Sequence, residues 1–432
     1  MAEAVGIAVL VVGLLISIAL HEVGHMVPAK RFGVRVSQYF VGFGPTLWSR
    51  QGKETEYGLK AIPLGGYVRL VGMIPPADQV KPLKGTGKAA TLIEDSRAVA
   101  VEEMHEGEDH RAFYRLAWWK KVIVMAGGPL VNLVLAALLF TIVLSGIGVA
   151  AATLTVRDTV PCVPAQVGAE CTDADPASPA AEAGLQQGDI FTAVDGTPVS
   201  TWTDLTDYVA ERPGTPVTLT VMRDGEELDL TLTPGATERT VVADADGNAI
   251  EPRVETVGFM GVYSELELQP QPIQSGTQVT GEYLVLMTEV VATLPVHLYE
   301  VSRAALGLEE RDPNGVVGLV GIGRIAAESS GAEVEGFGFT EKLAEMLLLL
   351  GGLNLALFVF NMIPLVPLDG GHIASALWQA VKNGWARVRG AAKPFAVDVA
   401  RQMPLAYGVF GILILMAIVL VYADIVAPVT RA

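Results

Sequence analysis

Two histidines and a glutamate stand at the end of an uncharged run. His21, Glu22, Val23, Gly24 and His25 follow a stretch from Val5 to Leu20 that holds no charged residue. On a helix, this H-E-x-x-H spacing puts two imidazoles one turn apart on one face, where both can bind one Zn²⁺. Neutral imidazole is the usual zinc ligand. The glutamate between them is placed to take a proton from a metal-held water and pass it to a leaving amine. A pattern with three fixed letters also arises by chance, but three ionisable side chains at bilayer depth are costly unless they serve a function.

Catalytic zinc usually takes three protein ligands, so a third must come from elsewhere in the chain. No cysteine lies near the motif, which excludes a thiolate site. Few acids lie in or beside the apolar runs. One is Asp369, in the stretch Asn361 to His372, where Pro364 and Pro367 cannot donate helical hydrogen bonds and the chain should unwind. An unwound turn can aim Asp369 sideways at a metal. Asp424 competes from the last apolar run, and His372 is near enough to be a rival. Asp369 is preferred because it precedes two glycines in apolar surroundings and has no other evident partner.

These residues need a membrane scaffold. Hydrophobic residues make up 51% of the 432 and charged ones 18%, too apolar for an ordinary soluble protein. A net charge of -17 excludes nucleic acid as the main partner. Four apolar runs, roughly 4–27, 122–149, 343–363 and 404–427, are long enough to span a bilayer. Residues 29–121 carry 15 Lys and Arg against 10 acids, and residues 375–404 carry 5 against Asp398 alone. Residues 150–341 hold no lysine and a large acidic excess. The positive-inside rule puts both basic loops in the cytoplasm and the acidic block outside, with both termini outside. Met1 to Ile7 carries no Lys or Arg, which fits an external N-terminus and argues against a cleaved signal peptide. In an oxidising compartment Cys162 and Cys171 are expected to form a disulfide.

The connecting segments have characters of their own. Residues 34–50 read as a short strand and turn. In 57–73, two short apolar runs flank Gly65-Gly66, a signal for a hairpin turning there. Such a hairpin can be plain scaffold or can present a free edge beside the metal. Residues 77–110 read as a patternless cytoplasmic loop with His105 and His110 in solvent. The second span opens with Gly127-Gly128-Pro129, small residues that let helices approach closely, and holds Asn132, a polar group in need of a partner. Residues 281–308 read as one amphipathic helix lying on the outer membrane face, with His297 at the interface. Residues 312–331, rich in glycine, lead into the third span. Between 151 and 265 lie strands near 190–194, 216–222 and 228–233, turns at Asp195-Gly196 and Asp224-Gly225, and a helix near 202–211. The stretch SPAAEAGLQQGDIFTAVDGTPVSTWTDL resembles the bacterial PDZ domain, which implies a groove that takes a peptide or substrate tail as an added strand.

Together these pieces resemble the site-2 protease family of intramembrane zinc metalloproteases, of the single-PDZ actinobacterial kind. The motifs are HEVGH at 21–25, IPLGGYVRL at 62–70, GGPLVN at 127–132 and NMIPLVPLDGG at 361–371. The resemblance implies a polytopic α-helical membrane protein with four transmembrane helices, a membrane-associated β-hairpin and an inserted extracytoplasmic PDZ domain. The expected divisions are 1–149, the PDZ domain at 150–265, an amphipathic helix and linker at 266–342, and the last two spans at 343–432. The family pattern makes His21, His25 and Asp369 the zinc ligands and Glu22 the base. Asn132 and Asn361 are expected to hold the substrate backbone, and Gly65, Gly66, Tyr67 and Val68 to pair with it. The resemblance also implies a plasma (inner) membrane enzyme, active toward the cytoplasmic side. The resemblance implies substrates such as anti-sigma factors or remnant signal peptides, cut after a site-1 protease has trimmed them. A non-catalytic PDZ adaptor is opposed by the complete ligand set, and a metal transporter by the shortage of polar residues in the other spans.

Overall fold

The computed structural model describes residues 2–83, 87–105, 107–162, 177–243, 249–312, 315–331, 338–390 and 396–429. It divides into two units, one of Met1–Ile147 with Gln271–Ala432 and one of Gly148–Pro270.

The first unit begins with α1 (Ala2–Arg31), whose last turn carries Lys30 and Arg31, cations that suit a helix C-terminus. Gly33, at φ +84, ends it: the Val34 amide donates to the Ala29 carbonyl and the Gly33 amide to that of Lys30. Strands β1 (Val36–Gln51) and β2 (Glu56–Leu70) follow, then α2 (Lys88–Glu102) and α3 (Trp118–Thr141), which is extended by a π-helical stretch over Ile142–Ile147.

The second unit holds β3 (Val149–Thr159), α4 (Pro179–Ala183), β4 (Ile190–Val194), β5 (Thr197–Pro198) and α5 (Trp202–Ala210). It continues with β6 (Val217–Arg223), β7 (Glu226–Leu232), β8 (Gly235–Ala243), β9 (Ala249–Phe259) and β10 (Val262–Gln269). The first unit resumes with α6 (Ser275–Ala292), α7 (Leu294–Ala305), α8 (Leu319–Gly331), α9 (Phe339–Asn361), α10 (Asp369–Val388) and α11 (Met403–Val426).

Among the described residues four helical stretches are long and apolar enough to cross a membrane, Val5–Arg31, Trp118–Ile147, Phe339–Asn361 and Val399–Val426, and the bent pair Ser275–Ala292 with Leu294–Ala305 would make a fifth if it forms one span. Around the motif α1 packs on α3 and α9, and α3 also packs on α10. Glycine makes the α1–α3 approach close. A Cβ on Gly24 would strike the Gly127 carbonyl, and one on Gly127 would strike that of Gly24. A buried polar pair joins α1 to α9, where the Asn354 amide donates to Ser17 Oγ at 2.9 Å.

Several segments differ from the sequence reading. The chain does double back between Leu59 and Gly66, but the two runs do not pair with each other as a hairpin: both lie along Tyr39–Val41 of β1, and the turn between β1 and β2 is at 52–55, where the Gly52 amide donates to the Thr55 carbonyl. Glycine marks a close approach as readily as a turn. A Cβ on Gly66 would sit 3.0 Å from the Phe40 carbonyl and 3.2 Å from Glu22 Cγ. The strands also fold back on themselves, so Tyr39 pairs with both Tyr57 and Val68.

The stretch 77–110 contains α2, and its Arg97 donates from Nη2 to both Asp398 carboxylate oxygens at 2.8–2.9 Å. Arg401 reaches the carbonyls of Lys81 and Pro82, so the two basic loops are docked on each other.

The single helix expected at 281–308 is instead α6 and α7, bent by 70° at Thr293. Pro295 supplies the break, having no amide N–H for a continuing helix. α6 packs on α3 and α9, and α7 on α11. The glycine-rich 312–331 yields α8. The Asp424 carboxylate receives the amides of Gly318 and Gly321 at its N-terminus and pairs with Arg311 at 3.1 Å.

In the second unit the sheet order is β10-β3-β4-β6-β7, with β5 on β4 and a separate β8-β9 pair. Both expected aspartate-glycine turns have positive φ at both residues, Asp195 (+46) with Gly196 (+75) and Asp224 (+51) with Gly225 (+86), which suits two-residue hairpins. Thr201 and Asp204 cap α5 reciprocally. Asp189 is fully buried. Burial raises its carboxyl, but the Arg223 guanidinium at 2.7 Å and the Gln186 amide outweigh that and hold it below the usual carboxylate range. Cys162 is buried and is not a free thiol, while its expected partner Cys171 lies outside the described residues.

Candidate metal centre

α1 sets His21 and His25 one turn apart, with ring centroids 4.8 Å apart. Asp369 reaches them from the first turn of α10, after the non-helical segment at 362–368. Its Oδ2 lies 3.4 Å from His21 Nε2 and 3.3 Å from His25 Nε2, and the two Nε2 atoms are 3.2 Å apart. A metal about 2.0–2.1 Å from three donors at tetrahedral angles holds those donors about 3.3–3.4 Å apart. The three atoms therefore fit one tetrahedral ion and leave its fourth position open. Among the described residues this is the one His/Asp/Glu/Cys group with metal-binding spacing.

His25 Nδ1 lies 2.8 Å from the Val124 carbonyl, which fixes the ring with Nε2 free for metal. Gly128 of α3 lies against both rings, and a Cβ there would overlap His25 Nε2 and lie 2.8 Å from His21 Nε2. Gly128→Ala is therefore expected to displace the imidazoles and lower zinc affinity about 10–100-fold, the range seen when ligand orientation is lost. Zinc titration of the folded variant checks this.

Glu22 is 8% exposed and stands where the sheet meets α1. The Val68 amide is directed at its carboxylate, and the Tyr39 hydroxyl donates to the Ala19 carbonyl at 2.8 Å. Because the Val71 amide donates to Arg35 beside β1, alternation along β2 turns the backbone of 66, 68 and 70 the other way. Among the described residues no further strand pairs with that edge. The Tyr67 ring is held on the sheet, stacked with Phe40 and Phe43.

Asn132 has no exposure, and neither its Oδ1 nor its Nδ2 has a partner among the described residues. An amide so placed is an open binding capacity. Asn361 donates its amide to the Leu357 carbonyl one turn back. The rivals are set aside by geometry: His372 does not join the donor cluster, and Asp424 is held by Arg311 and α8. The sequence reading missed Gly24, the Val124 carbonyl and the Ser17–Asn354 pair. Ser17, one turn before His21, was the available signal.

A largely enclosed two-histidine, one-carboxylate cluster between α1 and the start of α10, with a glutamate beside it, is a metallopeptidase class of site. The model of peptidase family M50 matches residues 9–400, and the chain belongs to that family. It is 32% identical over 441 residues to zinc metalloprotease Rip1 of Mycobacterium tuberculosis (strain ATCC 25618 / H37Rv), covering 98% of each chain. It is 31% identical over 443 residues to Rip1 of Mycolicibacterium smegmatis, again with 98% of each covered. A putative zinc metalloprotease of Mesorhizobium japonicum is 30% identical over 361 residues, 83% of this chain and 85% of that one. The chain is thus a metalloprotease of the site-2 protease family, with zinc as its metal.

Proposed function

We propose that the protein is an intramembrane endopeptidase of the plasma membrane that cuts transmembrane segments of single-span proteins, anti-sigma factors and remnant signal peptides among them, after a site-1 protease has trimmed them. The observation that carries this reading is the three-donor cluster 3.2–3.4 Å on a side, with Glu22 and an unpaired strand edge beside it. Zinc, when bound, supplies Lewis-acid polarisation of a carbonyl and an acidified water. Glu22 takes the proton of the attacking water and returns it to the leaving amine. Asn132 and Asn361 hold the substrate backbone. The 66–70 edge receives the opened substrate as a strand, passing its peptide bonds by Glu22. Docking of the two basic loops on each other supports their lying on one side, the cytoplasmic one by the positive-inside rule.

The aspartate-glycine hairpins, the capped α5 and the antiparallel sheet support a PDZ reading for 150–265. In this reading the domain excludes untrimmed ectodomains by volume and can hold a cut tail.

Reconstitution tests the function directly. Zinc-loaded protein in liposomes should cut a trimmed single-span substrate within its span and spare the untrimmed form. Cleavage confined to soluble peptides would refute it. The strand edge is best tested on the substrate, because proline at Val68 would also take the amide from Glu22. Replacing single substrate amides by esters should slow cleavage about 2–10-fold at alternate positions, one hydrogen bond each. An equal response at every position would return the sheet to scaffold.

A further inference from the structure

α10 shows an apolar stripe that no described residue of the first unit covers. Trp378, Val381, Trp385 and Val388 are 59%, 57%, 62% and 86% exposed, and Leu377 is exposed beside them. At 100° per residue these five fall within about a 100° arc, away from the face that buries Ile373 and Ala376. Lys382 and Arg389 border the stripe, and the Arg389 guanidinium lies 4.3 Å over the Trp385 ring. α10 is not itself among the candidate spans, yet it runs between two of them, Phe339–Asn361 and Val399–Val426. Both its ends are therefore tethered at the same membrane surface. Tryptophan and basic residues are the side chains that settle at such a surface. A cavity of about 290 Å³, lined by Leu365, Val366, Trp378 and Leu405 among others, lies under the stripe and can admit part of an acyl chain.

The same helix begins with Asp369. Its Gly370 and Gly371 lie against the backbone of 362–366 so closely that a Cβ on either would collide with it. Movement of α10 therefore carries Asp369 with it. We propose that α10 embeds its tryptophan stripe in the anionic leaflet faced by the basic loops, and that this embedding holds Asp369 in register with His21 and His25. The second half rests on the assignment of Asp369 as a zinc ligand, while the first does not.

The test uses full-length, zinc-loaded protein in vesicles of phosphatidylcholine with or without phosphatidylglycerol. A spin label on Trp385→Cys, introduced where no described cysteine is free, reports depth by collision with lipid-soluble oxygen and an aqueous nickel chelate. Oxygen collisions should dominate. Zinc loss to a chelator should be roughly tenfold slower with phosphatidylglycerol. The pair Lys382→Glu and Arg389→Glu should abolish that lipid dependence while leaving zinc loss in neutral vesicles unchanged. A label that reads aqueous overturns the embedding. Equal zinc loss in both vesicles overturns the coupling to Asp369. Neither measurement requires cleavage, so failure here is separable from failure of the proposed function.

Discussion

Glu22→Gln is expected to keep zinc and fold while losing cleavage by about 10²–10⁴-fold, the usual share of positioned proton transfer. The amide has nearly the shape of the carboxylate it replaces. The donor atoms of His21, His25 and Asp369 remain, as does the His25 contact with the Val124 carbonyl. What disappears is the basic group beside the donor cluster. Metal analysis and cleavage of a membrane-spanning peptide, run on one preparation, check both halves. Near wild-type turnover would show that another group takes the proton.

Asp369→Ala and Asp424→Ala should separate two buried aspartates by kind of failure. The first removes one of three donors and is expected to empty the site and bring cleavage to background. The fold should survive, because Asp369 is tied by side-chain contacts to the two histidines and not to a structural cation. The second leaves Arg311 buried without its partner, with side-chain exposures of 4% for Arg311 and 1% for Asp424 in the intact pair. Loss of one partner of such a pair costs about 3–5 kcal/mol. Asp424→Ala should therefore melt at lower temperature yet retain zinc while folded. Full zinc occupancy in Asp369→Ala would mean that the third ligand lies elsewhere.

The metal centre was legible because its chemistry is local in type: a spaced histidine pair and an acid where no acid belongs. Even so, the preference for Asp369 over Asp424 turned on an absence of evident partners, and Arg311, Gly318 and Gly321 lie too far along the chain from Asp424 for pattern reading to join them to it. The sheet was half legible. Its strands followed from β-branched and aromatic residues and the chain doubles back just before Gly66, but glycine does not say which strand the returning run pairs with, and that strand is β1; Gly66 also lies close against α1. The helix at 88–102 escaped because its face is anchored by Arg97, a charged residue, and not by an apolar stripe. The break at Thr293 was readable from Pro295, but the apolar spacing on either side obscured it.

The wide separation of the parts bears on how the enzyme is made. Ser17 and Asn354, which lock α1 to α9, are 337 residues apart in the chain, and Arg97 and Asp398, which clasp the basic loops, are 301 apart. Asp369 is synthesised later than Asn354. At about 5–20 residues per second, the ribosome needs on the order of tens of seconds to pass from the histidine motif to Asp369. Throughout that interval the nascent chain carries two imidazoles and a glutamate, but not a protease. The three-donor cluster can close only after Asp369 has been made, so on the proposed function a truncated or stalled product would be inactive.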